Sequence, residues 1–360
     1  AYEMRESDWS SDVCYSDLDR NLSTNNELGE YLNSLDDDSM SNIDSTKLSD
    51  NSWVLVSGIV NSLLTKLEKQ PRRVADIFDK IYQGLATGKD DVYFLRNCVE
   101  QEMSISGYSK IIDEVVNIEK ELCRPLLKGE DVHRYGCLDT QRYVVLPYER
   151  DCDNMTLIKE NDLSEKYPMA YSYLKKCETI LRKREKGRFD IDGEWFQLSR
   201  KQGLAYATSP KLIAPDISLG GNFSFDEQGM FYQTATLYGY VKKDDVLVSY
   251  KVLMAVLNSR LCWWFMQNTG TVMSGGFYRY KPAYIKTFPM PSDMVLSKSS
   301  LEIENLVKAI EQEKENDTSA LENQIDFLVY HLYGLTYDEV LIVDPDTPIS
   351  REEYEAYKEE

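Results

Sequence analysis

Lysine and arginine crowd one stretch of this chain: Lys175, Lys176, Arg182, Lys183, Arg184, Lys186 and Arg188 fall between positions 175 and 188. Cations at that density can neutralise consecutive phosphates of a polyanion. Glu178 and Glu185 are interspersed, so a solvated helix face is the plainer alternative. Downstream, Arg200, Lys201 and Gln202 follow the aromatic pair Trp195 and Phe196. That trio joins two phosphate-binding cations to an amide able to pair with an adenine edge; its alternative is a strand end with exposed polar tips. The run GGFYRYKP (275–282) sets Arg279 and Lys281 beside Tyr278, Tyr280 and two glycines. Backbone of that kind can approach nucleic acid while the rings pack on sugars or bases, and an ordinary surface loop has the same composition. The turn GLATGKDD (84–91) offers Thr87, Lys89 and free N–H groups to a phosphate. It lacks the spacing of a P-loop, and a plain hairpin turn would look alike.

Other chemistries find less support. His133 lies near Cys123 and Cys137 without finger-like spacing, and His331 stands apart, so structural roles are expected and no metal. Pro215-Asp216 looks like the start of a nuclease site, but Glu227 is followed by Gln228 and Gly229 with no lysine, which rejects it. The seven cysteines are odd in number, scattered and never spaced as CxxC, so reduced thiols are expected.

These residues need elements to hold them. Val56, Ile59, Val60, Leu63, Leu64 and Leu67 recur at helical spacing between Trp53 and Gln70, and Pro71 stops the pattern. Short β-rich runs follow at 91–95, 142–148, 211–215 and 230–241, alternating with helical stretches at 112–123, 168–186 and 249–266. In the last of these, Met254, Leu257, Leu261, Trp264 and Phe265 fall at core intervals. The tail reads as helices: one over LEIENLVKAIEQEKE, a second capped by Thr318 with an apolar stripe of Leu321, Ile325, Leu328, Val329 and Leu332, then a short one opened by Thr336 and Glu339 at capping-box spacing.

The net charge of −20 argues against a partner rich in phosphate until its distribution is counted. Residues 1–53 carry −10 and residues 297–360 carry −12, which leaves 33 basic against 31 acidic side chains in the middle. Within 166–211 there are 11 basic and 5 acidic residues. Residues 1–52 are rich in Asp, Ser and Asn and offer little to bury, so a disordered leader is expected. Its segment SDWSSDVCYSDL (7–18) resembles a translated sequencing-adapter artefact, which would place the true start upstream. No stretch of eighteen apolar residues occurs and the first residues have no basic start or apolar run, so neither a membrane span nor a secretory signal is expected, and the location expected is cytoplasmic.

Six motifs in one order carry a resemblance: IYQGLATGKDDVYFL (81–95), LLKGEDVHRYG (126–136), YPMAYSYLKKCETILRKREKGR (167–188), EWFQLSRKQGLAYATSPKLIAPDIS (194–218), LMAVLNSRLCWWFM (253–266) and GGFYRYKPAYIKTFPMP (275–291). Together they resemble the TaqI-like C-terminal specificity domain of type II and type IIG adenine methyltransferases, over about residues 53–340. The fold expected is α+β: a mixed α/β target-recognition body at 53–296 and a C-terminal helical region at 297–360, behind the leader. The resemblance implies a domain that clamps duplex DNA against a separate methyltransferase domain, in cis or in trans. That domain flips out an adenine and methylates N6 with S-adenosylmethionine. Within this pattern the residues expected at DNA are Arg182, Lys183, Arg184, Lys186, Arg188, Arg200, Lys201, Gln202, Tyr278, Arg279, Lys281, Thr87 and Lys89. The chain contains no Asn/Asp-Pro-Pro-aromatic motif and no FxGxG cofactor loop, so no catalytic residue and no cofactor are assigned to it, and no methyl transfer by the chain alone is expected. Whether an endonuclease is fused upstream stays open. The alternatives are a type I specificity subunit, which would show two recognition halves and long coiled-coil spacers, and an acidic interaction module, against which the near-neutral middle stands.

Overall fold

The computed structural model describes residues 58–151, 154–201, 203–313 and 316–357, together with the paired strands Glu3–Met4 and Trp53–Val54. Apart from those strands, the expected leader and its adapter-like segment lie outside the described residues. The first helix spans Gly58–Leu67 and buries Leu63, Leu64 and Leu67, while Ile59 is 66% exposed because the first turn overhangs the core.

The body is mixed α/β, built on two sheets. The larger has six strands in the order Tyr232–Gln233, Cys123–Leu127, Tyr143–Val145, Phe94–Glu100, Ser104–Ser109 and Glu114–Glu119. All its pairs are antiparallel except the first, where Tyr232 faces Leu126 in parallel register. The smaller has four antiparallel strands: Ser224–Asp226, Lys211–Pro215, Leu237–Lys242 and Phe78–Gln83. One segment serves both sheets, leaving the larger at Gln233 and entering the smaller at Leu237. The turn between them, Thr234–Thr236, therefore sits where the sheets meet.

The helix expected at 112–123 is instead the edge strand Glu114–Glu119 followed by a 3-10 turn at Lys120–Leu122. Asp113 takes a left-handed φ of 55°, which turns the chain back on Ser104–Ser109. The β-branched Val115, Val116 and Ile118 then favour the pleated surface over a helix. The helical stretch at 168–186 also breaks, into Pro168–Lys176, Glu178–Arg182 and a short turn.

Two large apolar clusters form, beside a small third one of Leu127, Val132, Ile213 and Leu237. One, on the six-stranded sheet, contains Leu95, Ile105, Ile118, Val144, Trp195 and Phe196. The other, on the four-stranded sheet, contains Met254, Leu257, Leu261, Trp264 and Phe265 from helices Tyr250–Asn258 and Arg260–Thr269. Ser249 and Ser259 cap these helices through their side chains. Ile303, Val307, Ile325 and Val329 from the tail helices Ser300–Gln312 and Ser319–Leu332 join the same cluster. Thr336 and Glu339 form the expected capping box at the start of Tyr337–Val343. Among the described residues no helix is long and apolar enough to cross a membrane, no cluster of three or more metal-ligating side chains occurs, and the five cysteines are free thiols.

Candidate nucleic-acid interface

The basic run does not lie on one helix face. Its first half is spent on carboxylates: Lys175 pairs with Glu160 and Glu178, and Lys176 with Glu114 on the far edge strand of the six-stranded sheet. Arg182 holds Glu178, Asp190 and Asp192 at 2.8–3.0 Å. Asp190 foremost, then Glu178, hold its guanidinium firmly charged. Two members of the 166–211 stretch are interior. Lys211 is buried against Asp226, whose carboxylate also accepts from the N–H groups of Met230 and Phe231.

Arg184 is the other. It is 5% exposed, and four of its five N–H donors go to backbone carbonyls: Nε to Leu181, Nη1 to Thr87 at 2.5 Å, and Nη2 to Trp195 and Gln197 at 2.9 and 2.8 Å. Its guanidinium also lies 4.4 Å from the Phe189 ring centre. Thr87 is fully buried too, its hydroxyl donating to Asp90. Both were expected at a phosphate. The structure instead makes them the pin that joins the 84–91 turn to the 195–200 segment, because an arginine fork can donate to carbonyls of several segments at once.

Immediately after Arg184 the chain turns outward. Glu185 and Lys186 take left-handed φ values of 44° and 62°, a conformation that costs energy in a residue with a side chain. Glu185 is held there by hydrogen bonds from Ser199 and from Arg188, and these keep its carboxyl below the usual carboxylate range, the Ser199 hydroxyl contributing most. Lys183, Lys186, Arg200 and Lys201 are exposed. Among the described residues none of these four, nor the half-buried Lys89, has a carboxylate within ion-pair distance. Arg188 is exposed and shared with Glu185. Gln202 lies outside the described residues.

The dispersed segments are stitched together by backbone hydrogen bonds. Arg200 N–H donates to the Ala86 carbonyl at 2.9 Å, and Leu85 N–H to that of Gln233 at 2.7 Å. Asp216 N–H donates to Thr236 at 2.9 Å, and Tyr280 N–H to Asp216 at 2.6 Å. Ile217–Ser218 pairs antiparallel with Tyr278–Arg279. A continuous seam thus runs from 200 through 85–86, 233–236 and 216–218 to 278–280. Gly84 is required on it, since a Cβ there would lie 2.2 Å from the Gln233 carbonyl oxygen.

At the far end of the seam the strand alternation separates the residues of GGFYRYKP. Tyr280 is buried, and Tyr278 meets Trp263 edge-on at 5.2 Å. Arg279, on the other face, binds Asp216 at 2.5 Å, and Lys281 lies 5.7 Å from the Tyr284 ring centre. Sequence reasoning missed the 216–218 and 233–236 segments as parts of this surface. No local signal marks them, since their partners lie tens of residues away.

Residues 124–290 match the model of the TaqI-like C-terminal specificity domain. The chain is 24% identical over 299 residues to the type II methyltransferase M.BstVI of Geobacillus stearothermophilus, covering 82% of this chain and 46% of that protein. It is 27% identical over 240 residues to the type II methyltransferase M.XhoI of Xanthomonas vasicola, covering 66% and 39%. With the type II restriction enzyme and methyltransferase RM.Eco57I of Escherichia coli the figures are 23% over 323 residues, 81% and 32%. The chain spans less than half the length of each of these relatives. In fold it is similar to the type IIL restriction-modification enzyme MmeI, whose structure was solved in complex with DNA, at a TM-score of 0.50, 13% identity, 80% of this chain and 37% of that one. The likeness to the TaqI-like C-terminal specificity domain thus covers residues 124–290, and the relatives that carry it along the chain are type II methyltransferases and restriction-modification enzymes.

Proposed function

We propose that this chain is the DNA-reading part of a site-specific adenine-N6 DNA methyltransferase of the type II restriction-modification kind. Residues 53–296 form the reading body and residues 297–360 the helical region that closes it. The body holds duplex DNA against a methyltransferase domain supplied in cis or in trans, and S-adenosylmethionine belongs to that domain. The protein works in the cytoplasm, where its DNA is.

The seam carries the reading. It brings five segments far apart in sequence together, with cations that have no carboxylate partner among the described residues at one end and an aromatic and basic ribbon at the other. Lys89, Lys183, Lys186, Arg188, Arg200 and Lys201 meet phosphates, which position the duplex. Tyr278, Arg279 and Lys281 form the second contact, and Gln202 is kept as a base-edge contact.

Titrating fluorescent duplex DNA with the full chain at several salt concentrations tests this. Binding that weakens steeply as salt rises, with a slope of about −0.9 per neutralised phosphate, supports it. Failure to bind at low salt, or binding indifferent to salt, overturns it.

A further inference from the structure

Asp216 has no place in the function so far, and its surroundings are unusual for a surface aspartate. The residue is only 8% exposed. Its backbone is clamped on both sides, the N–H on Thr236 and the carbonyl under Tyr280. Its Oδ2 accepts from Arg279 Nη2 at 2.5 Å, while Oδ1 and the neighbouring Arg279 Nε are buried with no hydrogen-bond partner among the described residues. Asp216 borders a cavity of about 520 Å3 lined also by Ser218, Asn222, Thr236 and Phe277. Beside it projects a hairpin, closed by Met273 N–H on the Phe277 carbonyl and turned at Gly275 and Gly276, both at left-handed φ. Val272, Met273 and Phe277 on this hairpin are exposed, as are Ile217 and Leu219 on the adjoining strand.

A phosphate contact needs charge, and a carboxylate at 2.5 Å cancels much of it. Lys186, Arg200 and Lys201 carry no such partner among the described residues. What Asp216 supplies instead is geometry, because a carboxylate fixed in the wall holds the planar guanidinium in one orientation. Arg279 remains one-third exposed. Its Nη1 makes no hydrogen bond among the described residues, which leaves it and the second hydrogen of Nη2 available as a fork of two donors. In the major groove only guanine presents two adjacent acceptors, O6 and N7. Adenine opposes one donor with its own amino group, and cytosine presents a donor.

We propose that Arg279 reads a guanine of the recognised duplex through O6 and N7, and that Asp216 is the positioning residue that aims it. This rests on the DNA-reading function above. The exposed apolar groups around the fork shed water on contact with the groove and shield the paired donors.

Selection from a pool of randomised duplexes by the full chain tests the proposal, with wild type compared against Arg279→Ala, Arg279→Gln and Asp216→Asn. Wild type should enrich a guanine at one position. Both Arg279 variants should lose that preference roughly tenfold to a hundredfold while keeping preferences elsewhere. Asp216→Asn should relax the same position by a smaller factor. Since removing a buried carboxylate can disturb the fold, melting temperatures are taken for all variants, and the variants of the one-third exposed Arg279 decide the question. An unchanged selection in Arg279→Ala overturns the assignment. So does a loss equal for all sequences with the salt slope reduced by about one, the mark of a phosphate contact. If wild type binds duplex but selects nothing, guanine reading fails while the DNA-binding function stands. If wild type binds no duplex, both fall.

Discussion

Arg184 and Lys186 stand two residues apart in the same basic run and face opposite ways. Arg184 enters the wall of the six-stranded sheet and donates to carbonyls of four residues, while Lys186 is set outward by a left-handed turn with no carboxylate at ion-pair distance among the described residues. The same division separates Lys211, sunk on Asp226, from Arg200 and Lys201. The difference teaches that the count of basic residues overstates the field this surface presents. The inward cations hold the seam together, and the outward ones are what a polyanion can meet.

The sharpest way to break that comparison is to remove an inward cation. Arg184→Ala removes a donor from the carbonyls of Thr87, Leu181, Trp195 and Gln197 and leaves a cavity in the wall, and should lower stability by roughly 3 kcal/mol. Arg184→Lys should recover little, because an ammonium cannot copy the planar fork. Thermal unfolding measures both. Loss of duplex binding without a fall in melting temperature would move Arg184 to the outward class.

A second inward charge gives a pH signature. Asp326 is fully buried and accepts from Arg260 at 2.8 and 3.0 Å, yet burial pushes its carboxyl up to about 6, with Arg134 and Arg260 opposing. A folded-state value above the unfolded one means the folded protein holds its proton longer. The stabilising share of this group is then complete below about pH 4 and is lost as pH rises through 6. Melting curves across that window should show Asp326→Asn with a weaker decline than wild type. Parallel curves for the two proteins would contradict the assignment.

Arg182 lies between the classes, partly exposed and spread over three carboxylates. Arg182→Gln should lower the melting temperature less than Arg184→Ala, and the deficit should shrink at high salt, since exposed ion pairs are screened. A deficit independent of salt would place Arg182 with the interior group.

Much of this was legible where the signal is local. The capping box at Thr336 and Glu339, the core spacing of Met254, Leu257 and Leu261, and the mixed α/β body follow from short-range pattern. Arg184 was misplaced because its fate depends on Thr87, 97 residues away, and the Arg279–Asp216 pair spans 63 residues. Residues 112–123 read as helix in the sequence because the left-handed Asp113 that folds them back as a strand leaves no mark in the apolar periodicity.

The smallest effect on stability belongs to the outward cations, and it carries the central claim. Lys183, Lys186, Arg200 and Lys201 changed together to Ala should leave the melting temperature of the chain essentially where it was. Measured by titrating fluorescent duplex DNA over a series of salt concentrations, the same variant should bind every sequence more weakly, and its slope of log affinity against log salt should flatten by up to about 3.6, or about 0.9 for each phosphate no longer met. Unchanged affinity with an unchanged slope would contradict the account and show that this end of the seam does not face DNA.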